Sequence, residues 1–294
     1  MLVPSSKCAV PDIYAPCQTS ACALLRSAVW ARAYRTGVGN VWKNRQVLRM
    51  LVSRDLQRKY RNFRLGYLWS ILEPLGMTTV LWFVFSVLLG GRKLGEQPYF
   101  LFLSVAILPW WWFTKGISAS TRVFRGNISP LTISLLPTEI SVVRVVLVSM
   151  ADFALSLPII LIAMVITWTF PGPLILLFPV AILVQVILMY GVGLFVASVS
   201  ALVPDFARIV RIVMRAMFYL TPVLYAIANI PAGARDIAVF NPLVSILGLY
   251  RIGFWPTESE GAVHFAIGLA VIAVFTIVGI ITFRRLEPRI LKEA

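Results

Sequence analysis

Asp152 is a carboxylate inside an otherwise apolar run, Val145 to Phe170. It stands about 12 residues into that run, roughly 18 Å along a helix rising 1.5 Å per residue. At such a depth in a bilayer a carboxylate costs about 2.5–3.5 kcal/mol on insertion scales, so it should pair or face water. Lys115, in a neighbouring apolar run, is the expected partner; a place in a substrate path is the alternative. Other reactive residue types are thinly spread. Cys8, Cys17 and Cys22 lie close to the N-terminus without a common metal-ligand spacing, and the single histidine, His264, is far from them. Neither a nucleophile constellation nor an Asp-rich or His-based site stands out, so no catalytic and no metal-binding residue is expected. A Gly-x-x-x-x-Gly-Lys-Ser/Thr run, whose backbone amides and lysine would hold nucleotide phosphates, does not occur.

The elements that carry these residues are set by composition. Of 294 residues 59% are hydrophobic and only 13% charged, and the mean hydropathy is +0.86. That is too much apolar surface for a water-soluble fold to cover. Runs of about 20 apolar residues, each enough to span a bilayer as a helix, recur along the chain, and barrel-type alternation is absent. An all-α integral membrane protein is expected, with six spans near residues 65–89, 99–120, 145–170, 174–202, 209–228 and 265–283. Lys7 is followed by no continuous apolar run, so a cleaved signal peptide is not expected.

The net charge of +15 comes from basic residues outside the apolar runs. With no nucleic-acid motif beside it, that charge points to lipid head groups and orientation rather than nucleic acid. With the N-terminus inside, only Arg92, Lys93, Arg235 and Arg251 fall in external segments, and Lys115 lies within a span. The positive-inside rule therefore puts both termini in the cytoplasm. Four stretches are expected: a cytoplasmic tail over 1–40, an interface helix over 41–64, a transmembrane domain over 65–283 and a second cytoplasmic tail over 284–294. Within the interface helix, Leu48, Val52, Leu56, Tyr60 and Phe63 share one side, and Arg54, Arg58, Arg61 and Arg64 the opposite one. Such a helix is expected to lie on the membrane with its apolar side in lipid, as an anchor or as a lever toward a cytoplasmic partner. Lys59 breaks the pattern.

Several short motifs recur in order along the chain. Arg54-Asp55-Leu56, Tyr60-Arg61, Leu65-Gly66-Tyr67-Leu68-Trp69-Ser70 and Glu73-Pro74 open the series. Leu108-Pro109-Trp110 follows in the second run, then Tyr219-Leu220-Thr221-Pro222-Val223-Leu224-Tyr225, Ile230-Pro231, Asn241-Pro242 and Tyr250-Arg251. This ordered set, from about residue 50 to 255, resembles the permease subunits of ABC transporters that export O-antigen, teichoic acid, capsule or galactan. The resemblance implies six spans, short re-entrant helices between the fifth and sixth, and the bacterial cytoplasmic membrane. It implies a second copy of the chain, two copies of a separate ATPase subunit carrying ATP and Mg, and a lipid-linked polysaccharide as substrate. No cofactor is expected in this chain. Arg54, Asp55, Tyr60 and Arg61 match the interface-helix motif. The first cytoplasmic loop, with Arg122, Phe124, Arg125, Asn127 and Leu131, is implied to couple to the ATPase, although the family's basic residues just before a Phe-Pro are missing there.

The resemblance also brings the first and fifth spans to a conduit, for which Trp82, Trp110, Phe113, Tyr219 and Tyr225 are the candidates. Trp110 lies about 12 residues into the second span, roughly 18 Å deep, past the centre of a core about 30 Å thick. Helix neighbours are about 100° apart, so Trp110, Trp111 and Trp112 cannot all face one side, whereas Trp110 and Phe113 share a face. These rings either pack against helices or offer flat surfaces to sugars. Two rival functions remain: a small-molecule efflux permease of the same superfamily, or a membrane glycosyl or prenyl transferase. The first would lack the long helix before the first span; the second would need a diphosphate-binding carboxylate cluster.

Overall fold

The computed structural model describes residues 45–61, 66–89, 95–124, 138–258 and 261–293. Its first helix, α1, covers Arg45–Arg61. The side carrying Leu48, Val52, Leu56 and Tyr60 turns toward the protein: Leu48 and Tyr60 are buried, Val52 and Leu56 half-buried, and the neighbour they pack along is α4, Thr138–Ser156. Arg54, Arg58 and Arg61 remain exposed. Asp55 pairs with Arg144 of α4 at 3.2 Å.

Among the described residues, five helical stretches are long and apolar enough to cross a bilayer: Gly66–Leu88, Tyr99–Ser120, Thr138–Thr167, Pro173–Leu202 and Ala262–Ile290. A helix satisfies its backbone groups within one segment, without water, and no strand occurs among the described residues. The first stretch is built on α2, Trp69–Phe83, and ends in a wider turn in which Leu89 N donates to Val84 O at 3.0 Å. The second is α3, Tyr99–Ser120. The third joins α4 to α5, Pro158–Thr167, with Pro158 in the first turn of α5, where a missing N–H costs nothing. The fourth is built on α6, Leu177–Leu202, and the last lies within α10, Ala262–Glu293.

The fifth expected span differs. There, α7 covers only Phe206–Leu220, 15 residues, or about 22 Å. Thr221 leaves the helix with φ −93° and ψ 138°, as the residue before a proline prefers to do. Beyond it, the segment expected to hold short helices contains α8, Ala232–Ala238, and α9, Pro242–Arg251. All ten residues of α9 are buried, and it packs against α3, α6 and α10.

The bundle is organised around α3, of whose most apolar window 78% is buried, against 11% for the α2 stretch. Its neighbours are α2, α4, α5, α6, α7 and α9. The tightest crossing joins α6 to α10, where a Cβ on Gly279 would lie 2.0 Å from the Gly191 carbonyl oxygen. The last helix continues to Glu293, so the tail expected over 284–294 is an extension of α10. Buried Phe283 and a hydrogen bond from Thr138 Oγ1 to Glu287 tie it to the start of α4.

Candidate functional site

The motifs of residues 219–251, far apart in sequence, converge on one turn. The Arg251 side chain is fully buried at the end of α9. It donates from Nη1 to the carbonyls of Pro222 at 2.7 Å and Tyr225 at 3.3 Å, and from Nη2 to that of Val223 at 2.9 Å. The centre of its guanidinium also lies 3.7 Å from the Phe102 ring centroid. Asn241 caps α9 by accepting from Leu243 N and donates to Thr221 Oγ1 at 2.8 Å, while Tyr99 donates to the Leu224 carbonyl at 2.8 Å. A non-helical turn in a membrane bundle must find partners for its carbonyls. A planar five-donor guanidinium is suited to serving several at once.

That turn holds the C-terminal end of α7. The helix packs its Val210, Met214, Met217 and Phe218 side toward α3 and α6. Arg208, Arg211, Arg215 and Tyr219 form an adjoining exposed stripe, with Tyr219 70% exposed. Among the described residues Arg208 meets Asp205 at 3.7 Å, and neither Arg211 nor Arg215 takes an acidic partner.

The conduit candidates therefore separate. Trp110 and Phe113 lie inside the chain's own core, 3% and 4% exposed, with Trp110 packed against Phe218 at 5.7 Å between centroids. They support α7 from behind and do not reach the surface of this chain. Tyr225, half-buried, donates to the Tyr219 carbonyl at 3.1 Å. Trp82, also half-buried, meets Phe100 edge-on at 6.4 Å on another side of α3.

Asp152 is not paired with Lys115. It takes Lys59 Nζ on one oxygen and the Tyr60 hydroxyl on the other, and Tyr60 also meets Ser70 Oγ. Lys115 pairs instead with Glu73 at 3.0 Å. Burial, and secondarily the bond to Asp152, holds the Tyr60 phenol far above its usual range. Sequence alone marked Lys59 as a break in pattern and Asp152 as a costly charge; the contact across 93 positions joins the two anomalies. A cavity of about 410 Å³ opens beside this network.

Of the candidate coupling residues, Arg122 is exposed, and Phe124 packs on Phe283 of α10 at 6.2 Å between centroids. Arg125, Asn127 and Leu131 lie outside the described residues. In α1, Arg54 and Arg61 face outward, while Asp55 and Tyr60 are engaged with α4 as described above.

Residues 46–255 match the family described as ABC-2 type transporter. Among curated relatives, the O-antigen export system permease protein RfbA of Myxococcus xanthus is 29% identical over 220 residues, covering 74% of this chain and 84% of its own length. A protein of the same name from Klebsiella pneumoniae is 28% identical over 83% of this chain and 93% of its own length. The polysialic acid transport protein KpsM of Escherichia coli is 24% identical over 82% of this chain and 93% of its own length.

Proposed function

The chain belongs to the ABC-2 type transporter family, and from that premise we propose that it is the permease subunit of an ATP-driven exporter of a lipid-linked polysaccharide. The observation that carries this reading is that its similarity to polysaccharide export permeases extends over most of this chain and most of each relative. In this reading two copies stand side by side in the cytoplasmic membrane with both termini inside. Two copies of a separate ATPase, binding ATP and Mg, act on the loop after α3 and on α1. Nucleotide binding brings the cytoplasmic ends of the permeases together, and the motion passes to a glycan path between them.

The stripe on α7 supports a path or a subunit contact at that face. Arg215 stands about ten residues into α7, roughly 15 Å from its start. If α7 and the turn after it form the sixth crossing, that exposed guanidinium is costly against lipid and stable against water or a second subunit. Tyr219, one turn further on, then presents a flat ring to the same space.

Depletion of the chain in its host tests the reading. Polymer should vanish from the cell surface and accumulate inside on its lipid carrier, and re-expression should reverse both. Unchanged surface polymer after depletion would refute an export role. A drug-efflux permease would instead change drug sensitivity and leave polymer untouched.

A further inference from the structure

The cavity bounded by α1, α2, α3 and α4 lies apart from the α7 face. Trp110 turns toward Phe218, whereas Trp111 and Trp112 turn to the other side of α3 and line this cavity. Its 410 Å³ falls within the roughly 300–1,000 Å³ of small-molecule sites. Two features give it a specific chemistry.

The first is a buried donor with nothing to bond. Trp112 is 2% exposed, its ring is stacked on Phe153 at 4.8 Å, and its indole N–H has no acceptor among the described residues. The nitrogen itself is buried, so a ligand oxygen would satisfy it once the ring turned toward the cavity. The second is a balanced set of charges beside flat rings. Lys115 pairs with Glu73 and sits 5.4 Å from the Trp111 ring centroid, and Lys59 pairs with Asp152. Three of these four ionic side chains are well exposed, at 39% for Lys115, 60% for Glu73 and 44% for Lys59. A phosphate drawn to the lysines would meet both carboxylates and have to break both pairs. A neutral polyol can accept from an ammonium and donate to a carboxylate while leaving each pair intact. The C–H face of its ring can lie on an indole.

We propose that this cavity binds one neutral sugar ring, a glycan-holding site at the interface helix distinct from the α7 path. The sugar is taken to be presented by the exported polymer, so that role rests on the export reading.

The test uses the full-length chain in lipid nanodiscs, with radiolabelled octyl β-D-glucoside and octyl β-D-galactoside as probes and octyl phosphate as the anionic control of equal chain length. At least one glycoside should be retained saturably above empty nanodiscs, and more tightly than octyl phosphate. Trp111→Ala and Glu73→Gln should each weaken retention roughly ten-fold, the size expected for one ring contact or one charge-assisted hydrogen bond. Trp111→Phe, which keeps a ring, should retain most of it. Glu73→Gln is nearly isosteric at an exposed position, so it decides the matter if Trp111→Ala does not fold. Three results would overturn the assignment: no saturable glycoside retention, retention indifferent to both substitutions, or preference for octyl phosphate, which would mark a phospholipid head-group site. Export is read separately by depletion. A cavity that ignores sugars leaves the exporter reading standing, and export unaffected by depletion with sugar retention intact does the reverse.

Discussion

Replacing Tyr219 by alanine should lower polymer export per folded protein and leave thermal stability nearly unchanged, because its ring is 70% exposed. Trp110→Ala should do the opposite. The ring is 3% exposed in the core, and large-to-small changes at such sites cost about 3–5 kcal/mol. Yield and unfolding midpoint should fall while export per surviving molecule holds. Equal stability loss for the two variants would show that burial in the single chain does not distinguish them. Around Asp152, alanine should cost about 1–3 kcal/mol, since it leaves the Tyr60 hydroxyl with Ser70 alone and unpairs a Lys59 that is already part-solvated; Asp152→Asn, which keeps an acceptor, should cost less. The Tyr60 phenol titrates higher in the folded chain than its ordinary value near 10. Its contribution is therefore complete below about pH 10 and fades as pH rises beyond it. Tyr60→Phe should remove that alkaline loss in a pH series of unfolding midpoints. At this scale the sequence showed which residues were anomalous but not what they meet. Lys59 and Asp152 were both conspicuous, yet the nearer apolar run made Lys115 the natural partner, and only the packing of α1 along α4 brings Lys59 closer.

The turn after α7 and the crossing of α6 with α10 give the element-scale tests. Arg251→Lys keeps the charge but cannot serve the carbonyls of Pro222, Val223 and Tyr225 together. It should lower stability by about 1–3 kcal/mol and loosen the end of α7, which faster proteolysis or hydrogen exchange at 219–225 would register. Gly279→Ala should reduce the folded fraction sharply in size-exclusion profiles, because the added methyl would overlap the Gly191 carbonyl. Gly233→Ala, with open space around it, should not. Five apolar runs were legible as helices from length and hydropathy alone. The run at 209–228 is not one continuous helix: α7 ends at Leu220, and two local signals accompany that end, arginines recurring along one side and Pro222 just after Thr221. The motifs at 219–225, 241–242 and 250–251 read as separate signatures in sequence. Their common purpose, holding one turn, is a matter of tertiary contact.

For the whole molecule, orientation and assembly are the open predictions. With Cys8, Cys17 and Cys22 replaced by serine, Thr257→Cys should react with an impermeant maleimide added to intact cells. Arg122→Cys should react only after permeabilisation. The reverse pattern would invert the topology that the basic residues indicate. The class of the molecule, a helical membrane protein, followed from composition. The side that α1 presents did not, since an amphipathic pattern is equally served by lipid and by a neighbouring helix. The most direct test of the account is transport by purified components. This chain, reconstituted in proteoliposomes with its candidate ATPase and the lipid-linked polymer of its host, should move the glycan across the bilayer only when ATP and Mg are supplied on the ATPase side; the chain without the ATPase should hydrolyse no ATP and move none. ATP hydrolysis by the complete complex with no glycan transfer, or transfer without the ATPase, would contradict it.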